Sequence, residues 1–180
     1  MLNKIEVFEK ELAFVKNEEI LNFTKEVLNG LPDYFFTIPA SSSGRYHPQY
    51  ALGEGGLVRH TKAAIYIALS LFNVSDYESL EPWSDLIISA LILHDGLKRG
   101  VTESGRTETT HPVDMASYIQ SFTGYNKNII NKVSGMVASH MGKWDGKGLL
   151  PIPQTCAQKF VHLCDYLASR KFLEVDFDKV

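Results

Sequence analysis

The sequence predicts an all-α fold, a helical bundle or helical orthogonal array, and three observations lead to that class. Apolar residues recur at helical spacing through several segments, breaker clusters such as "NGLPDY" separate these segments, and no convincing alternating strand pattern occurs. The 180 residues, 44% hydrophobic and 22% charged, have the composition of a globular protein and can bury a sizeable core. We therefore expect a single domain over residues 1–180.

The elements follow in order along the chain. Residues 3–16 and 18–30 have helical periodicity and predict N-terminal helices within 1–30. Residues 31–56 carry prolines, three serines and four glycines, which predicts a long loop, and loops of this length are often functional. Further helices are predicted at about 57–73, about 83–96, from near Thr110, at about 126–140 and at about 153–172.

Composition excludes several classes of protein. The net charge of −3 and the pI near 6.1 argue against stable binding of long nucleic acid, which needs a broad basic surface. Cys156 and Cys164 form no CxxC pair, so a reducing cytoplasm is the simpler interpretation. The N-terminal segment is too charged for a signal peptide, and no apolar run approaches the ~20 residues that span a bilayer. We expect a cytoplasmic protein without a membrane partner.

Ionisable side chains lie on the apolar faces of several predicted helices. In "ALILHDGLKRG", His94 and Asp95 end the most apolar helix, while His60, His140 and Asp165 share helical faces with aliphatic residues. A lone histidine on such a face is usually a hydrogen-bonded core residue. Buried carboxylates, however, need compensating cations. One divalent metal would satisfy both carboxylates and their neighbouring imidazoles, which are good ligands for Zn, Mn, Fe, Co or Ni.

The order H…HD…D on successive helices resembles the HD-domain superfamily of metal-dependent phosphohydrolases, over about residues 45–172. The resemblance assigns His60 as the first histidine, His94 and Asp95 as the doublet, and Asp165 as the distal aspartate. Lys98 fits the frequent HDxxK extension. The resemblance implies an HD-domain helical bundle.

Two further histidines resemble those of HD subgroups that hold two metals. In that pattern Asp95 bridges the ions, His60, His94 and Asp165 complete one site, and His111 and His140 hold the second. The implied cofactors are one or two divalent transition metals, Mn, Fe, Ni, Co or Zn. The stretches "GEGGLVRHT" and "SHMGKWDGKGLLPIPQTCAQKFVHLCDYLAS" also resemble the HD portion of YhaM-type 3′→5′ exoribonucleases. We expect no OB domain of the kind that those enzymes use to hold nucleic acid.

The implied function is hydrolysis of a phosphate ester of a nucleotide, cyclic nucleotide or short oligonucleotide through a metal-activated water. Asp95, Lys98 and His47 are the predicted catalytic residues, with Lys98 at the phosphate and His47 touching substrate or donating a proton to the leaving oxygen. The predicted substrate-binding cations, each close in sequence to a proposed ligand or in the long loop, are Arg45, Arg59, Lys62 and Lys143.

Two other functions remain open at the level of sequence. An HD-type di-iron oxygenase would use the same histidine and aspartate ligands. A catalytically silent HD sensor or binding domain is the second alternative, although such domains have usually lost one or more ligands and this chain keeps the set. The expected partner is a small nucleotide or short oligonucleotide, and the sequence leaves the oligomeric state open.

Overall fold

The computed structural model describes residues 3–41, 44, 47–142 and 148–171. Within those ranges the chain forms helices and turns and no strand, which confirms the predicted all-α class. None of the helices in this described part is both long and apolar enough to cross a membrane.

The N-terminal segment 3–16 is not the single helix that its periodicity predicts. It forms two short helices, α1 (Lys4–Val7) and α2 (Glu9–Leu12), with a break at Phe8, whose φ of −113° and ψ of 18° are not helical. The Phe8 ring is fully buried and stacks on Phe35 at a centroid distance of 6.0 Å. Packing against a distant aromatic residue therefore determines where the helix ends.

The next helix, α3 (Glu18–Gly30), has the predicted bounds. Asn17 caps it by accepting a hydrogen bond from the Ile20 amide at 3.1 Å. Asp85, at the start of a later helix, accepts hydrogen bonds from the backbone amides of Lys16 and Asn17 at 2.9 and 2.7 Å. These bonds tie the N-terminal helices to the centre of the bundle.

The predicted loop, residues 31–56, contains two short 3₁₀ turns, Asp33–Phe36 and Gln49–Ala51. Its end packs closely on the helix that follows, because a Cβ at Gly56 would lie 2.3 Å from the Ala51 carbonyl oxygen. Only glycine fits there without moving the backbone. The Arg59 guanidinium also binds this loop, donating from Nη2 to the Leu52 carbonyl at 2.8 Å.

The N-terminal helices share one buried core with the α-helices that follow the loop. These are α4 (Gly56–Leu71), α5 (Ser84–Leu93), α6 (His111–Gln120), α7 (Lys127–Ala138) and α8 (Cys156–Ala168), preceded at α5 by the 3₁₀ helix Glu78–Trp83. Residues 87–93 of α5 are all buried, because α3, α4, α7 and α8 surround that helix. A helix that is apolar on all sides belongs in such a central position.

The helix ends bring the predicted ligands together. A capping box starts α8, in which the Thr155 hydroxyl accepts from the Gln158 amide at 3.2 Å and the Gln158 side chain accepts from the Thr155 amide at 3.0 Å. His60 lies in the second turn of α4, His94 and Asp95 directly follow α5, His111 begins α6, His140 follows α7 by two residues, and Asp165 lies in the last turn of α8.

Candidate metal and active site

The carboxylate of Asp95, which is 2% exposed, is the centre of the site. Its Oδ2 atom lies 3.5 Å from His94 Nε2 and 3.9 Å from His60 Nε2. Its Oδ1 atom lies 2.9 Å from His111 Nε2 and 3.6 Å from His140 Nε2. The two oxygens of one carboxylate therefore face two different pairs of imidazoles.

A second carboxylate completes the group on the Oδ2 side. Asp165 Oδ1 lies 2.9 Å from His60 Nε2 and 3.6 Å from His94 Nε2. No aspartate or glutamate other than Asp95 faces the Oδ1 side within 4.0 Å of His111 or His140 among the described residues. The two sides of Asp95 thus differ in negative charge.

Backbone carbonyls orient three of the four histidines. In each, Nδ1 donates a hydrogen bond of 2.7 Å to the carbonyl oxygen three residues earlier. The pairs are His94 with Leu91, His111 with Glu108, and His140 with Val137. Because a carbonyl can only accept, Nδ1 carries the proton in the neutral ring and the Nε2 lone pair faces the cluster, as metal coordination requires.

Both carboxylates are ionised at neutral pH. Burial opposes ionisation of Asp95, but the Lys98 ammonium, 2.5 Å from Oδ2, and His94 hold the pKa of Asp95 well below its usual value. Burial likewise opposes ionisation of Asp165, and the neighbouring His60 and His94 imidazoles hold the pKa of that carboxyl well below its usual value. Two negative charges therefore lie close together, with that of Asp95 in the interior and that of Asp165 partly exposed.

The histidines respond differently to the same surroundings. Burial lowers the pKa of His140, with further lowering from the neighbouring His94 and His111, so its ring is neutral at pH 7 and can act as a ligand. Burial also opposes protonation of His94, but the carboxylates of Asp95 and Asp165 outweigh it and the pKa of His94 is raised. A metal cation beside these carboxylates would replace the proton that His94 otherwise attracts.

The donor set fits a divalent metal ion. His94 Nε2 and Asp95 Oδ1 are buried and form no hydrogen bond with any described residue, which is costly unless a cation or water satisfies them. The ligand atoms of three overlapping sets lie within 4.8 Å of one another, and each set could hold an ion. These sets are His60–His94–Asp95, His94–His140–Asp165, and Asp95–His111–His140. Imidazole nitrogen and carboxylate oxygen suit transition metals such as Zn, Mn, Fe, Co and Ni.

A cavity of about 180 Å³ adjoins the cluster. Three candidate metal ligands, Asp95, His140 and Asp165, line it. The other lining residues are His47, Lys98, Met141, Tyr166, Ser169 and Arg170. A small molecule in this cavity would contact both carboxylates and two cationic side chains.

The sequence matches the family model of the HD domain over residues 57–170, which is more than half of the chain. The chain belongs to the HD-domain family. Most members of that family are metal-dependent hydrolases and hold divalent metals. No curated protein and no solved structure matches the chain.

Lys98 and His47, the predicted catalytic residues other than Asp95, both line the cavity. Lys98 contacts Asp95 and is 12% exposed, so its ammonium can also contact a ligand in the cavity. The His47 ring lies 5.6 Å from the His60 ring between centroids. Burial, together with the neighbouring His60 and Lys98 side chains, lowers the pKa of His47 to about 4. His47 is therefore neutral at pH 7, which favours a hydrogen-bonding role over proton donation by an imidazolium.

Two predicted substrate-binding cations lie elsewhere on the HD fold. Arg59 donates to the Tyr50 and Leu52 carbonyls, and Lys62 Nζ lies 3.2 Å from the buried Glu11 carboxylate. Neither is among the described residues that line the cavity. Positions one and two residues from His60 point away from its face of α4, so sequence proximity does not bring them to the ligands.

The other two predicted cations, Arg45 and Lys143, lie outside the described residues. The structure also shows cavity residues that the sequence analysis does not predict. These are Tyr166, Ser169 and Arg170. The Arg170 guanidinium carbon lies 4.3 Å from the centroid of the Tyr166 ring. All three cavity residues lie one to five positions beyond Asp165, and this proximity in sequence could have predicted them.

Proposed function

We propose that this chain is a metal-dependent phosphohydrolase or phosphodiesterase acting on a nucleotide, a cyclic nucleotide or a short oligonucleotide. The observation that carries the proposal is the combination of two ionised carboxylates, one buried and one partly buried, and four histidines with a cavity that also presents Lys98 and Arg170. Such a site provides ligands for a metal and cations for phosphoryl oxygens.

The ligands divide into two candidate metal positions. Asp95 Oδ2, His60, His94 and Asp165 would hold one ion, and Asp95 Oδ1, His111 and His140 would hold a second. When bound, divalent metals of this kind lower the pKa of water and polarise a phosphoryl group. The chain's own contribution is to keep the carboxylates ionised and the imidazole Nε2 atoms directed inward.

Cationic residues of the cavity would bind the phosphate. Lys98 keeps Asp95 ionised and offers its ammonium to a phosphoryl oxygen. The Arg170 guanidinium, stacked on the Tyr166 ring, offers a planar donor that suits phosphate oxygens. Neutral His47 would hydrogen-bond the leaving oxygen or the neighbouring sugar.

The size of the cavity favours a small substrate. Its volume of about 180 Å³ is below the ~300–1,000 Å³ of sites that enclose a drug-sized ligand. A phosphate and part of its sugar would enter, while the base or a longer strand would remain outside. The net charge of −3 supports the same inference, because binding a polymer requires many phosphate contacts.

A hydrolysis screen tests this proposal. Protein loaded separately with Mn, Fe, Co, Ni, Zn or Mg is incubated with mononucleotides, deoxynucleoside triphosphates, cyclic dinucleotides, guanosine tetraphosphate, and short and long RNA and DNA. Asp95→Ala, prepared in parallel, controls for contaminating phosphatases. We expect small nucleotides to be cleaved at least about tenfold better than long polymers, with weak salt dependence because few counterions are released.

Two outcomes would overturn parts of the proposal. Hydrolysis of none of these esters with any metal would remove the phosphohydrolase assignment and favour a silent sensor or binding domain. Processive digestion of long RNA with a steep salt dependence would replace the small substrate with a polymer and favour the YhaM-type resemblance.

The same donor set also suits a pair of iron ions, so an HD-type di-iron oxygenase is the second candidate. The carboxylate of Asp95, with histidines on both of its oxygens, is the observation that favours it. Iron-loaded protein that is coloured and consumes oxygen, but hydrolyses no phosphate ester, would establish this alternative.

A further inference from the structure

A second cavity lies between the 3₁₀ helix Glu78–Trp83 and helices α7 and α8. Its volume is about 530 Å³, larger than the cavity at the His/Asp cluster. Leu80, Met136 and Ala157 form a buried apolar floor, with exposed fractions of 8%, 2% and 7%. The remaining lining residues are Ser79, Trp83, Asn131, Lys132, Thr155, Cys156 and Gln158. An apolar floor with a polar rim is the usual anatomy of a ligand pocket.

The rim of this second cavity carries a positive charge at a defined place. Lys132 Nζ lies 4.3 Å from the centroid of the Trp83 ring, so a cation–π contact holds the ammonium at the mouth. Among the described residues that line the cavity, Lys132 alone is charged. Glu78 and Glu81, on the same 3₁₀ helix as Trp83, are exposed and do not belong to the lining.

We propose that the second cavity binds a small amphipathic anion, with an aromatic or aliphatic body on the apolar floor and one anionic group at Lys132. The Trp83 ring, 38% exposed, offers a flat surface for the body of such a molecule. The volume falls within the ~300–1,000 Å³ of small-molecule sites. This site is separate from the proposed active site and does not depend on the hydrolase assignment.

The second cavity is lined by two helices that are connected to candidate metal ligands. Gln158 Nε2 of α8 donates to the Gly135 carbonyl of α7 at 3.2 Å beside the cavity. The same α7 leads to His140, and the same α8 carries Asp165. A molecule in the cavity would therefore contact α8 at the end opposite to Asp165, and α7 from its second turn to Met136, which lies about one turn before His140.

Two fluorescent probes test the proposal on the full chain. Anilinonaphthalene sulfonate carries an aromatic body and one negative charge, and N-phenylnaphthylamine has the same rings without the charge. We expect one equivalent of the anionic probe to bind the native protein with saturation. Lys132→Met should weaken the anionic probe about fivefold to tenfold, as loss of one charge-assisted contact implies, and should change the neutral probe less than about twofold.

Variants of the floor and rim complete the test. Ala157→Phe fills the floor, and Ser79→Trp closes the exposed rim without touching the core; either should weaken both probes by about tenfold or more. Lys159→Met, which removes an exposed charge from α8 outside the lining, should leave both affinities unchanged. Circular dichroism of each variant establishes that the fold persists.

Several results would overturn the proposal. These are probe binding without saturation, equal affinities in the native protein and Ser79→Trp, or a charge effect at Lys159 equal to that at Lys132. Displacement of the anionic probe by inorganic phosphate together with weakening by Lys98→Ala would assign the probe to the active-site cavity instead. A changed oligomeric state in Ser79→Trp would make this face an interface between copies. Failure of the hydrolysis screen would leave these outcomes unaffected.

Discussion

The side chains around the two oxygens of the Asp95 carboxylate favour a bound cation in different ways. On the Oδ2 side, the Asp165 carboxylate adds a second negative charge beside His60 and His94. On the Oδ1 side, His111 and His140 supply two imidazole rings whose Nε2 atoms lie 3.3 Å apart. The first side attracts a cation by the added charge of a second carboxylate. On the second side both histidines are oriented by backbone carbonyls, whereas on the first side only His94 is. We therefore expect the Oδ2 side to bind metal more tightly.

Removal of the Asp95 carboxylate should disrupt both candidate metal sites and have the largest effect on metal content and hydrolysis. Asp95→Ala should lose nearly all transition metal, because its carboxylate serves both groups of ligands. Hydrolysis should fall by about 10³-fold or more, since a metal centre contributes several kcal/mol of transition-state stabilisation. Elemental analysis of the purified variant measures the metal, and Asp76→Ala, which removes an exposed carboxylate, is the control. Full metal retention in Asp95→Ala would be incompatible with its central position.

Variants of one side should separate the two sites. His111→Ala should keep about one equivalent of metal, held by the carboxylate-rich side, and lose only the weaker one, with an affinity change of about 10–100-fold at that site. Asp165→Ala should weaken the tighter site by a similar factor or more. Stepwise chelation followed by elemental analysis measures the order of release. Equal retention in the two variants would mean that the charge difference between the sides does not govern affinity.

The sequence predicts part of the fold and of the candidate site, but not all of it. Helical periodicity was sufficient for the all-α class, and histidines and aspartates on apolar faces predicted a cluster that the structure indeed brings together. Periodicity could not predict the break at Phe8, because the aromatic residues that bury its ring lie more than 25 positions away. Periodicity also could not exclude Arg59 and Lys62 from the cavity. Arg59 binds the loop and Lys62 binds Glu11, and both contacts form only in the folded protein.

Lys98 contacts the Oδ2 atom of Asp95 and should affect catalysis rather than metal content. Lys98→Ala removes the ammonium that lines the cavity but leaves every candidate ligand, so metal content should stay the same. Hydrolysis should slow about 10–100-fold, in the range for loss of one charged contact to a transferring phosphoryl group. Steady-state kinetics and elemental analysis measure the two effects, with exposed Lys127→Ala as the matched control. An unchanged rate at both limiting and saturating substrate would return Lys98 to a structural role.

The smallest expected effect concerns His47, which lies beside His60 on the carboxylate-rich side. Its pKa is lowered from 6.5 to about 4 by burial and by neighbouring positive charge. Between those two values the unfolded chain binds more protons than the folded one, so the free energy of unfolding falls as the pH falls through this window. His47→Gln has no proton to bind there. In chelator-treated protein, lowering the pH from about 7 to about 5 should therefore cost the native chain about 1–2 kcal/mol more than it costs this variant. Denaturant unfolding at both pH values measures the difference, and parallel pH dependence of the two proteins would show that His47 titrates as freely in the folded state as in the unfolded chain.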